Sequence, residues 1–290
     1  MPTPEDGVAL NSPDHSPGST IAITGSGPRG AALAGALAEP HRPVTAWHPD
    51  RHDDGVLASA SFVLLCAEDP AEAHRALRRL ATSPLPASCP LVNLTSGTGE
   101  QAREASAVAA ERGNPYLHGA LMAHPEHVGR PDTVLVYSGS GEAFRQHEER
   151  LRRLGGATYL GPDAATASLY DVALLNLAWA TLLGFLQTAA LLGTAGVRAR
   201  TVSPLLTHWL ATTVSEVITD YAGQVDDGVY PGDEEWLDLD APLMDHLVAA
   251  TEAGGLDPAL PLLIRTLTRR GTDAGHGRDS FASLIEVIKD

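Results

Sequence analysis

The sequence predicts an α/β domain with a mostly parallel sheet, followed by an all-α domain. Short apolar runs alternate with Ala-, Arg- and Glu-rich stretches from Ser19 to Leu160, as the strands and helices of βαβ units do. From about Asp163 onward the strand signals disappear, and apolar residues recur at helical spacing. A length of 290 residues, of which 43% are hydrophobic, is sufficient for two folded domains.

These runs also predict the order of the elements. Residues 1–18 mix Pro, Ser, Asp and Gly without periodicity, so we expect a flexible tail. The predicted α/β domain covers 19–163, with strands at 19–24, 43–47, 61–66, 90–95, 133–139 and 157–161. Helices are predicted between them at 31–38, 70–82, 99–113 and 141–154. A long helix over 164–197 leads to a helical domain over 198–290, with helices at 204–221, 241–253 and 258–270.

The segment 172–197 has no charged residue in 26 positions. A helix of that length reaches about 39 Å, enough to span a bilayer. A membrane position would leave Asn176, Gln187 and several threonines facing lipid, and the segment has no second span or clear positive flank beside it. We therefore expect a soluble helix that is buried between two domains or two subunits, and no membrane partner.

The composition excludes several classes of protein. The chain has 20 Lys and Arg against 36 Asp and Glu, and a net charge of −16 is the wrong sign for binding nucleic acid. Lys289 is the only lysine, which argues against Schiff-base, pyridoxal phosphate and P-loop chemistry. Cys66 and Cys89 have no zinc-binding spacing, and the N-terminus does not resemble a signal peptide, so we expect a cytoplasmic protein.

A glycine-rich motif, Gly25-Ser26-Gly27-Pro28-Arg29-Gly30, follows the first predicted strand and opens the first predicted helix. In that position the glycines allow a tight turn and a close approach of backbone to pyrophosphate, and the start of the helix offers free N–H groups. The motif therefore predicts a dinucleotide site.

The residue that reads the adenosine ribose should follow the second strand. The sequence there is His48-Pro49-Asp50-Arg51-His52, in which Arg51 and His52 suit a 2′-phosphate and Asp50 does not. The charges of these residues do not decide between NAD and NADP as the cofactor. Only 14 residues separate Trp47 from Phe62, too few for a helix, a third strand and a second helix. We expect a sheet that is trimmed on the adenosine side.

The chain resembles the NADPH-dependent imine reductases and reductive aminases from Ser19 nearly to its end. The blocks that carry the resemblance are Asn93-Leu94-Thr95-Ser96-Gly97-Thr98, Glu100-Gln101-Ala102-Arg103, Gly119-Ala120-Leu121-Met122-Ala123 with Pro125, Tyr137-Ser138-Gly139, Tyr170-Asp171, Ala173-Leu174-Leu175, Gly184-Phe185-Leu186, Gln224, Asp226-Asp227-Gly228 and Gly275-His276-Gly277. The resemblance implies a Rossmann-type N-terminal domain, an interdomain helix and a helical bundle exchanged between the subunits of a homodimer. It also implies an NADPH cofactor and a small imine or amine and carbonyl substrate.

By this resemblance Asp171 is the catalytic residue. Taken alone, an Asp before an apolar helical run is more often a helix cap or a partner of the helix dipole than a catalytic residue. An imine accepts hydride as its iminium cation, and a carboxylate about 4 Å from that cation contributes on the order of 4 kcal/mol at an effective dielectric constant of 20. The sequence leaves open whether Asp171 donates a proton or only stabilises the cation.

The remaining candidates lie beside the cofactor or the substrate. Trp179 follows Asp171 by about two helical turns, and both Trp179 and Trp209 could equally be core residues. Ser96 stands where reductive aminases carry a second Asn, which favours reduction of preformed imines. The predicted cofactor residues are Gly25, Ser26, Gly27, Pro28, Arg29, His48, Arg51, Thr95 and Ser96, and the predicted substrate residues are Met122, His124, Trp179, Trp209 and Asp240.

A metal site is not expected. His118, Glu126 and the pair His124 and His127 could suggest one, but an H-x-x-H on a loop has no fixed geometry and no cysteine completes it. His124 replaces a residue that is usually apolar in the family, so it adds a titratable group near the substrate.

The sequence departs from the family mainly at the cofactor motif. The phosphate-reading Asn-Arg-Ser/Thr triplet is replaced by His48-Pro49-Asp50, and the loop carries Ser26 and Arg29 where Leu and Met are usual. The main hypothesis is an imine reductase in which Arg29, Arg51 or His52 binds the phosphate. The alternative is a reductase scaffold used for non-redox chemistry on an iminium or carbonyl, or for binding. A β-hydroxyacid dehydrogenase is disfavoured, because the long helix lacks that family's lysine.

Overall fold

A computed structural model describes residues 20–25, 27–40, 42–51, 54–67 and 70–289. The predicted α/β region contains a seven-stranded sheet with the strand order β2-β1-β3-β4-β5-β6-β7. The strands are β1 Thr20–Ile23, β2 Val44–Ala46, β3 Ala60–Leu65, β4 Leu91–Asn93, β5 Tyr116–Leu121, β6 Leu135–Gly139 and β7 Thr158–Tyr159. All neighbours are parallel except β5 and β6. The predicted mostly parallel sheet is confirmed, and the predicted tail 1–18 lies outside the described residues.

Helices connect these strands and then form the rest of the chain. Within the sheet region they are α1 Pro28–Leu37, α2 Gly55–Ala58, α3 Pro70–Ala81, α4 Gly99–Ala110 and α5 Gly141–Arg152. They are followed by α6 Ala165–Thr194, α7 Ala199–Trp209, α8 Ser215–Asp227, α9 Leu237–Ala253, α10 Ala259–Gly271 and α11 Leu284–Lys289. The predicted helical C-terminal region is confirmed. The helix predicted over 204–221 is confirmed, and it contains a π-helical turn at Leu210–Val214 that joins α7 to α8 with helical dihedral angles on both sides.

The adenosine side of the sheet is trimmed, as the spacing predicted. Strand β2 is the edge strand, next to β1, and β3 lies on the other side of β1. Between β2 and β3 the described residues contain only the one-turn helix α2. The sheet thus has a single strand beyond β1 in the direction where an adenosine would bind.

Strand β5 is the element that the sequence analysis missed. It pairs with β4 in parallel and with β6 in antiparallel orientation, so it lies inside the sheet. His118 and Gly119 interrupt its apolar pattern. A Cβ atom on Gly119 would lie 2.6 Å from Cδ2 of Leu94 and 2.9 Å from Cδ1 of Tyr137, so close packing requires glycine at this position. The pattern fails because a small residue and a buried polar residue occupy positions usually filled by apolar side chains.

The sheet is covered on both faces. Alternate residues along each strand point to opposite faces. Ile21, Phe62 and Leu64 belong to one buried cluster with side chains of α1 and α5. Ala22 and Val63 belong to a second cluster with side chains of α2, α3 and α4. This two-sided burial explains why the strands read as nearly continuous apolar runs.

The chain divides into two compact units, Met1–Leu177 and Ala178–Asp290, which we call the sheet unit and the helical unit. The division falls inside α6. The helical unit has a small buried cluster of Leu237, Leu284 and Val287, against which Leu267 and Phe281 pack. Most of its other large apolar side chains are exposed in the single chain.

Helix α6 illustrates this exposure. No residue from Val172 to Thr194 is buried, and Trp179 and Leu186 are 67% and 61% exposed. Among the described residues, α6 is the one helix that is long and apolar enough to cross a membrane. The described residues of the same chain therefore do not provide the burial that the sequence predicts for this helix.

Candidate active site

The glycine-rich loop joins β1 to α1. Gly25 has φ 115°, and a Cβ atom there would collide with the carbonyl oxygen of Cys66. A Cβ atom on Gly30 would collide with the carbonyl oxygen of Gly25. Gly27 is the N-cap of α1, no side chain caps the helix, and Pro28 opens it. The first turn of α1 therefore offers N–H groups beside backbone without side chains, an arrangement that fits a pyrophosphate. Ser26 lies outside the described residues.

Cationic and imidazole groups flank this loop. Arg29 is half-buried in the first turn of α1. Burial raises the pKa of the Cys66 thiol to about 11, and the nearby positive charge of Arg29 acts against this rise. After β2, the Asp50 N–H donates to Nδ1 of His48 at 3.2 Å. Arg51 is exposed beside them, and His52 is outside the described residues. Since β1 and β2 are parallel neighbours, the structure brings Arg29, His48 and Arg51 to the same edge of the sheet.

A chain of hydrogen bonds ties together the carboxyl ends of β3 and β4 and the middle of β5. The Ala67 N–H donates to Oγ1 of Thr95 at 3.0 Å, and the Thr95 N–H donates to Oδ1 of Asn93 at 3.0 Å. Asn93 Nδ2 donates to the Tyr116 hydroxyl at 3.1 Å, and that hydroxyl lies 3.3 Å from Nδ1 of His118. The network fixes the loop that carries Thr95 and the exposed Ser96. The sequence analysis named Asn93 only as part of the resemblance and did not assign it this role.

His118 is 3% exposed, and burial lowers its pKa to about 4. It is therefore neutral at physiological pH and acts as a hydrogen-bonding partner within the sheet. The described residues hold no group of three His, Cys, Asp or Glu side chains that could bind a metal ion. His124 and His127 are neighbours, with ring centroids 6.2 Å apart.

A cavity of about 430 Å³ lies between α3 and α4 and reaches Thr95 and Ser96. Residues of the first turn of α4 line part of this cavity. There Thr98 and Gln101 form a reciprocal cap, in which the Thr98 N–H donates to Gln101 Oε1 at 2.8 Å and the Gln101 N–H donates to Thr98 Oγ1 at 3.3 Å. This cap holds the loop after β4 in place.

Asp171 lies in the second turn of α6 and is 5% exposed. Its carboxylate makes no hydrogen bond or ion pair with any described residue. The interpretation of Asp171 as a helix cap is wrong, because α6 begins six residues earlier at Ala165. Asp163 takes that role, since it accepts from the Ala165 N–H at 3.0 Å and from Arg103 at 2.7 Å. The bonds from Arg103 and the Ala165 N–H lower the pKa of Asp163.

Met122 and His124 follow β5, at the edge of the sheet where β1, β3 and β4 also end. Met122 is half-buried and donates its N–H to the Val134 carbonyl at 3.0 Å, whereas His124 is exposed. The sheet unit therefore brings these two predicted substrate residues to the same edge as the glycine-rich loop and Thr95.

The other predicted substrate residues belong to the helical unit. Trp179 and Trp209 are 67% and 53% exposed, so the alternative that they pack in the core of this chain is wrong. Asp240 lies in the first turn of α9, and burial together with the nearby Glu235 raises its pKa to about 7. Glu235 accepts from the Tyr221 hydroxyl at 2.6 Å and from the Phe281 N–H at 3.1 Å. The sequence analysis missed Glu235, although the acidic run from Asp233 signalled it.

Comparison with known proteins adds to this geometry. Residues 163–290 match the C-terminal domain of NADPH-dependent reductive aminase-like proteins. An NADPH-dependent reductive aminase from Aspergillus oryzae is 32% identical to the chain over 288 residues, which cover 93% of this chain and 97% of the relative. The chain belongs to the imine reductase and reductive aminase family. The resemblance that the sequence motifs suggested is confirmed.

Solved structures of the family agree. A reductive aminase from Aspergillus terreus, in complex with NADPH and ethyl levulinate, is 31% identical with a TM-score of 0.81, over 93% of this chain and 99% of that one. An imine reductase from Aspergillus terreus, in complex with NADPH4 and dibenz[c,e]azepine, is 30% identical with a TM-score of 0.84, over 94% of this chain and 100% of that one. This chain therefore has the Rossmann-type sheet and helical C-terminal region of the imine reductase structures that it matches.

Proposed function

We propose that this member of the imine reductase family transfers hydride from NADPH to the carbon of a C=N bond, with Asp171 as the anion beside the substrate nitrogen. The observation that carries the proposal is that Asp171 is only 5% exposed and that its carboxylate makes no hydrogen bond or ion pair with the described residues. Buried polar groups are normally hydrogen-bonded, and an exception is best explained by a ligand that supplies the partner. A cationic iminium is such a ligand.

Asp171 favours the reactive form of the substrate. A carboxylate about 4 Å from an iminium nitrogen stabilises the cation by on the order of 4 kcal/mol at an effective dielectric constant of 20. The cation is the form that accepts hydride, so the stabilisation acts on the reacting species. The low exposure of Asp171 reduces the screening of that charge by water.

The residues present fit the cofactor. The turn at Gly25 and the uncapped N-terminus of α1 would hold the pyrophosphate, with Arg29 beside it. Arg51, with His48 as its neighbour, would hold the 2′-phosphate. The network through Thr95 and Asn93 would fix the loop beside the nicotinamide. When bound, NADPH supplies the hydride. The relatives in the Aspergillus structures are complexes with NADPH or NADPH4, which supports this assignment.

We propose the same substrate residues as the sequence analysis. They are Met122 and His124 in the sheet unit, and Trp179, Trp209 and Asp240 in the helical unit. Ser96 favours reduction of preformed imines over assisted condensation of an amine with a ketone. Non-redox chemistry on this scaffold is not supported, because the relatives that match over 93% of the chain are reductases.

A homodimer in the cytoplasm is the assembly we propose. The apolar surface of α6 has no cover within the described chain, and a second copy supplies one without placing Asn176 and Gln187 in lipid. Exchange of the helical units between the two copies is the arrangement that the family resemblance implies.

The test of this function is Asp171→Asn. The variant keeps the shape of the side chain but removes the negative charge, so we expect a turnover of a cyclic imine at least about 10² times lower, which corresponds to about 2.7 kcal/mol. Steady-state kinetics, NADPH titration and thermal unfolding are measured on the same preparation, and the affinity and unfolding midpoint should stay close to the wild type.

The matched control is Asp163→Asn. This variant makes the same chemical change near the start of α6, at a residue that caps the helix. It should lower stability slightly and leave turnover within about twofold. Near-native turnover of the Asp171→Asn variant, or an equal loss in the control, would remove Asp171 from the proposed role.

A further inference from the structure

The sheet unit contains a second cavity, of about 250 Å³, which is lined by charged or hydrogen-bonding side chains. Its lining residues are Glu39, Arg42, Gln146, His147, Glu149, Arg150 and Arg153. They come from the segment between α1 and β2, from α5 and from the turn after α5. Three arginines face two glutamates there, in a chain whose net charge is −16. The local charge thus has the opposite sign to that of the whole molecule.

Two of the arginines share one carboxylate. Arg42 Nη1 lies 3.3 Å from Oε2 of Glu39, and Arg153 Nη1 lies 2.8 Å from Oε1 of the same residue. Arg153 also donates to the Ala38 carbonyl at 2.6 Å. Among the described residues, neither arginine has another carboxylate within 4.0 Å. Both oxygens of Glu39 are therefore engaged, and one negative charge is divided between two guanidinium groups.

Arg150 has no acidic partner within that distance among the described residues. Its guanidinium carbon lies 5.1 Å from the centre of the Phe62 ring, and Nη1 lies 3.1 Å from Nδ1 of His147. Its Nε atom is buried without a hydrogen-bond partner. Burial, and then the positive charge of Arg42, lower the pKa of Arg150. Burial also lowers the pKa of His147, which leaves that ring neutral and able to accept from Arg150.

We propose that this cavity binds a tetrahedral oxyanion, such as a phosphate group, through Arg42, Arg150 and Arg153. Guanidinium groups bind phosphate oxygens in pairs of parallel hydrogen bonds, and three of them around one cavity can reach several oxygens of the same anion. The anion would supply the missing partner of Arg150 and reduce the repulsion between Arg150 and Arg42. The negative charge of the exposed Glu149, which also lines the cavity, repels the anion and limits the affinity.

The site is separate from the proposed cofactor site. Glu39 and Arg42 follow the C-terminal end of α1, whereas the glycine-rich loop precedes its N-terminal end. A helix of ten residues separates the two ends by about 15 Å. A phosphate in this cavity is therefore additional to the phosphates of a dinucleotide.

The test is a calorimetric titration of inorganic phosphate into the full-length chain, with ionic strength held constant by sodium chloride. We expect a Kd of about 1 mM or below for the wild type. Arg42→Gln, at a half-buried position, should weaken binding at least about tenfold, because one of three cations is removed. Arg150→Gln should abolish it. Because that variant also loses the contact with Phe62 and can be destabilised, Arg42→Gln carries the test if Arg150→Gln does not fold.

Two controls separate the cavity from other arginines. Arg152→Gln makes the same change on α5, at a residue that pairs with Glu148 outside the cavity. Arg51→Ala removes the proposed 2′-phosphate contact. Both variants should bind phosphate as the wild type does. No detectable binding by the wild type at about 10 mM phosphate, an equal loss in Arg152→Gln, or a loss in Arg51→Ala with none in Arg42→Gln would each overturn the proposal.

Discussion

The two units of the chain differ in where their apolar side chains lie. The two largest fully buried side chains, Tyr137 and Phe62, belong to the sheet unit, as do most of the fully buried leucines, among them Leu33. The helical unit buries few large apolar side chains, and exposes Trp209, Leu205 and Leu243 by half or more. The sheet unit thus satisfies its own hydrophobic residues, whereas the helical unit presents an apolar surface that a monomeric protein rarely exposes. The sheet unit therefore buries its own apolar residues, whereas the proposed dimer would account for the exposed apolar surface of the helical unit.

The largest expected effect comes from placing a charge on that apolar surface. Leu186→Glu, on α6, should disrupt the proposed dimer at a cost of several kcal/mol, because a buried carboxylate would have no partner. Light scattering should then show the mass of one 30.4 kDa chain in place of two. Val134→Glu makes a comparable change at a residue of the sheet unit that is 50% exposed, and it should leave the mass unchanged. If the Leu186→Glu variant is still a dimer, this apolar surface is not the dimer interface, and the contrast drawn between the two units is wrong.

A second test addresses the self-contained core of the sheet unit. His118 has a pKa of about 4 in the folded chain, against an ordinary value of 6.5. Between these two pH values the unfolded chain therefore binds a proton that the folded chain does not. The resulting stability is complete above pH 6.5 and is lost as the pH falls toward 4, by about 3 kcal/mol. His118→Asn should remove this slope. Urea unfolding at pH 7 and pH 4.5 measures it.

The control for that prediction is His124→Asn, because His124 is exposed and does not belong to the buried hydrogen-bond network of His118. It should keep the wild-type dependence on pH. If His118→Asn and His124→Asn show the same slope as the wild type, the acid sensitivity lies elsewhere and His118 is not the buried neutral group that the network requires.

A third test asks whether cofactor selectivity resides in the sheet unit. Charge-assisted hydrogen bonds to phosphate contribute about 1.5 to 3 kcal/mol each. Arg51→Ala should therefore weaken NADPH binding by roughly that amount and NADH binding almost not at all. The preference of the wild type for NADPH should be modest, since Asp50 stands next to the phosphate site. Titration of both cofactors measures it, and equal losses for the two would remove Arg51 from the site.

The smallest expected effect concerns the helical unit. Asp240 has a pKa of about 7 in the folded chain, against an ordinary value of 3.8, so its proton stabilises the fold most at low pH and is lost as the pH rises through 7. Asp240→Asn should therefore be more stable than the wild type at pH 8 by about 1 kcal/mol, a value reduced by solvent screening at this partly exposed pair. Asp238→Asn, at an exposed position of the same turn, should show no such gain in thermal unfolding.

The sequence predicted the sheet more fully than the site. Alternating apolar runs located six of the seven strands, because buried parallel strands have a strong local signature. Strand β5 escaped because His118 and Gly119 are selected by contacts with residues distant in sequence, namely Tyr116, Leu94 and Tyr137. Local periodicity carries no information on such contacts.

The glycine-rich loop was predictable for the same local reason. Its turn, cap and helix start lie within a few residues of one another, so the chemistry is visible as a motif. The isolation of the Asp171 carboxylate was not, because it depends on the absence of partners from the whole described fold. The pair of acids Asp240 and Glu235 was not predictable either. Glu235 is held by hydrogen bonds from the Tyr221 hydroxyl and the Phe281 N–H, and sequence spacing gives no information on such contacts.

The π-helical turn at Leu210–Val214, directly after Trp209, has a consequence for how this chain could diversify. A π turn holds about one residue more than an α turn, so it absorbs an extra residue without rotating the helix that follows. Loss of one residue from this turn would therefore restore α-helical geometry and leave the side chains of α8 on the faces they already occupy. In evolutionary terms, the chain can gain or lose a residue at this point while the surface of α8 is inherited unchanged.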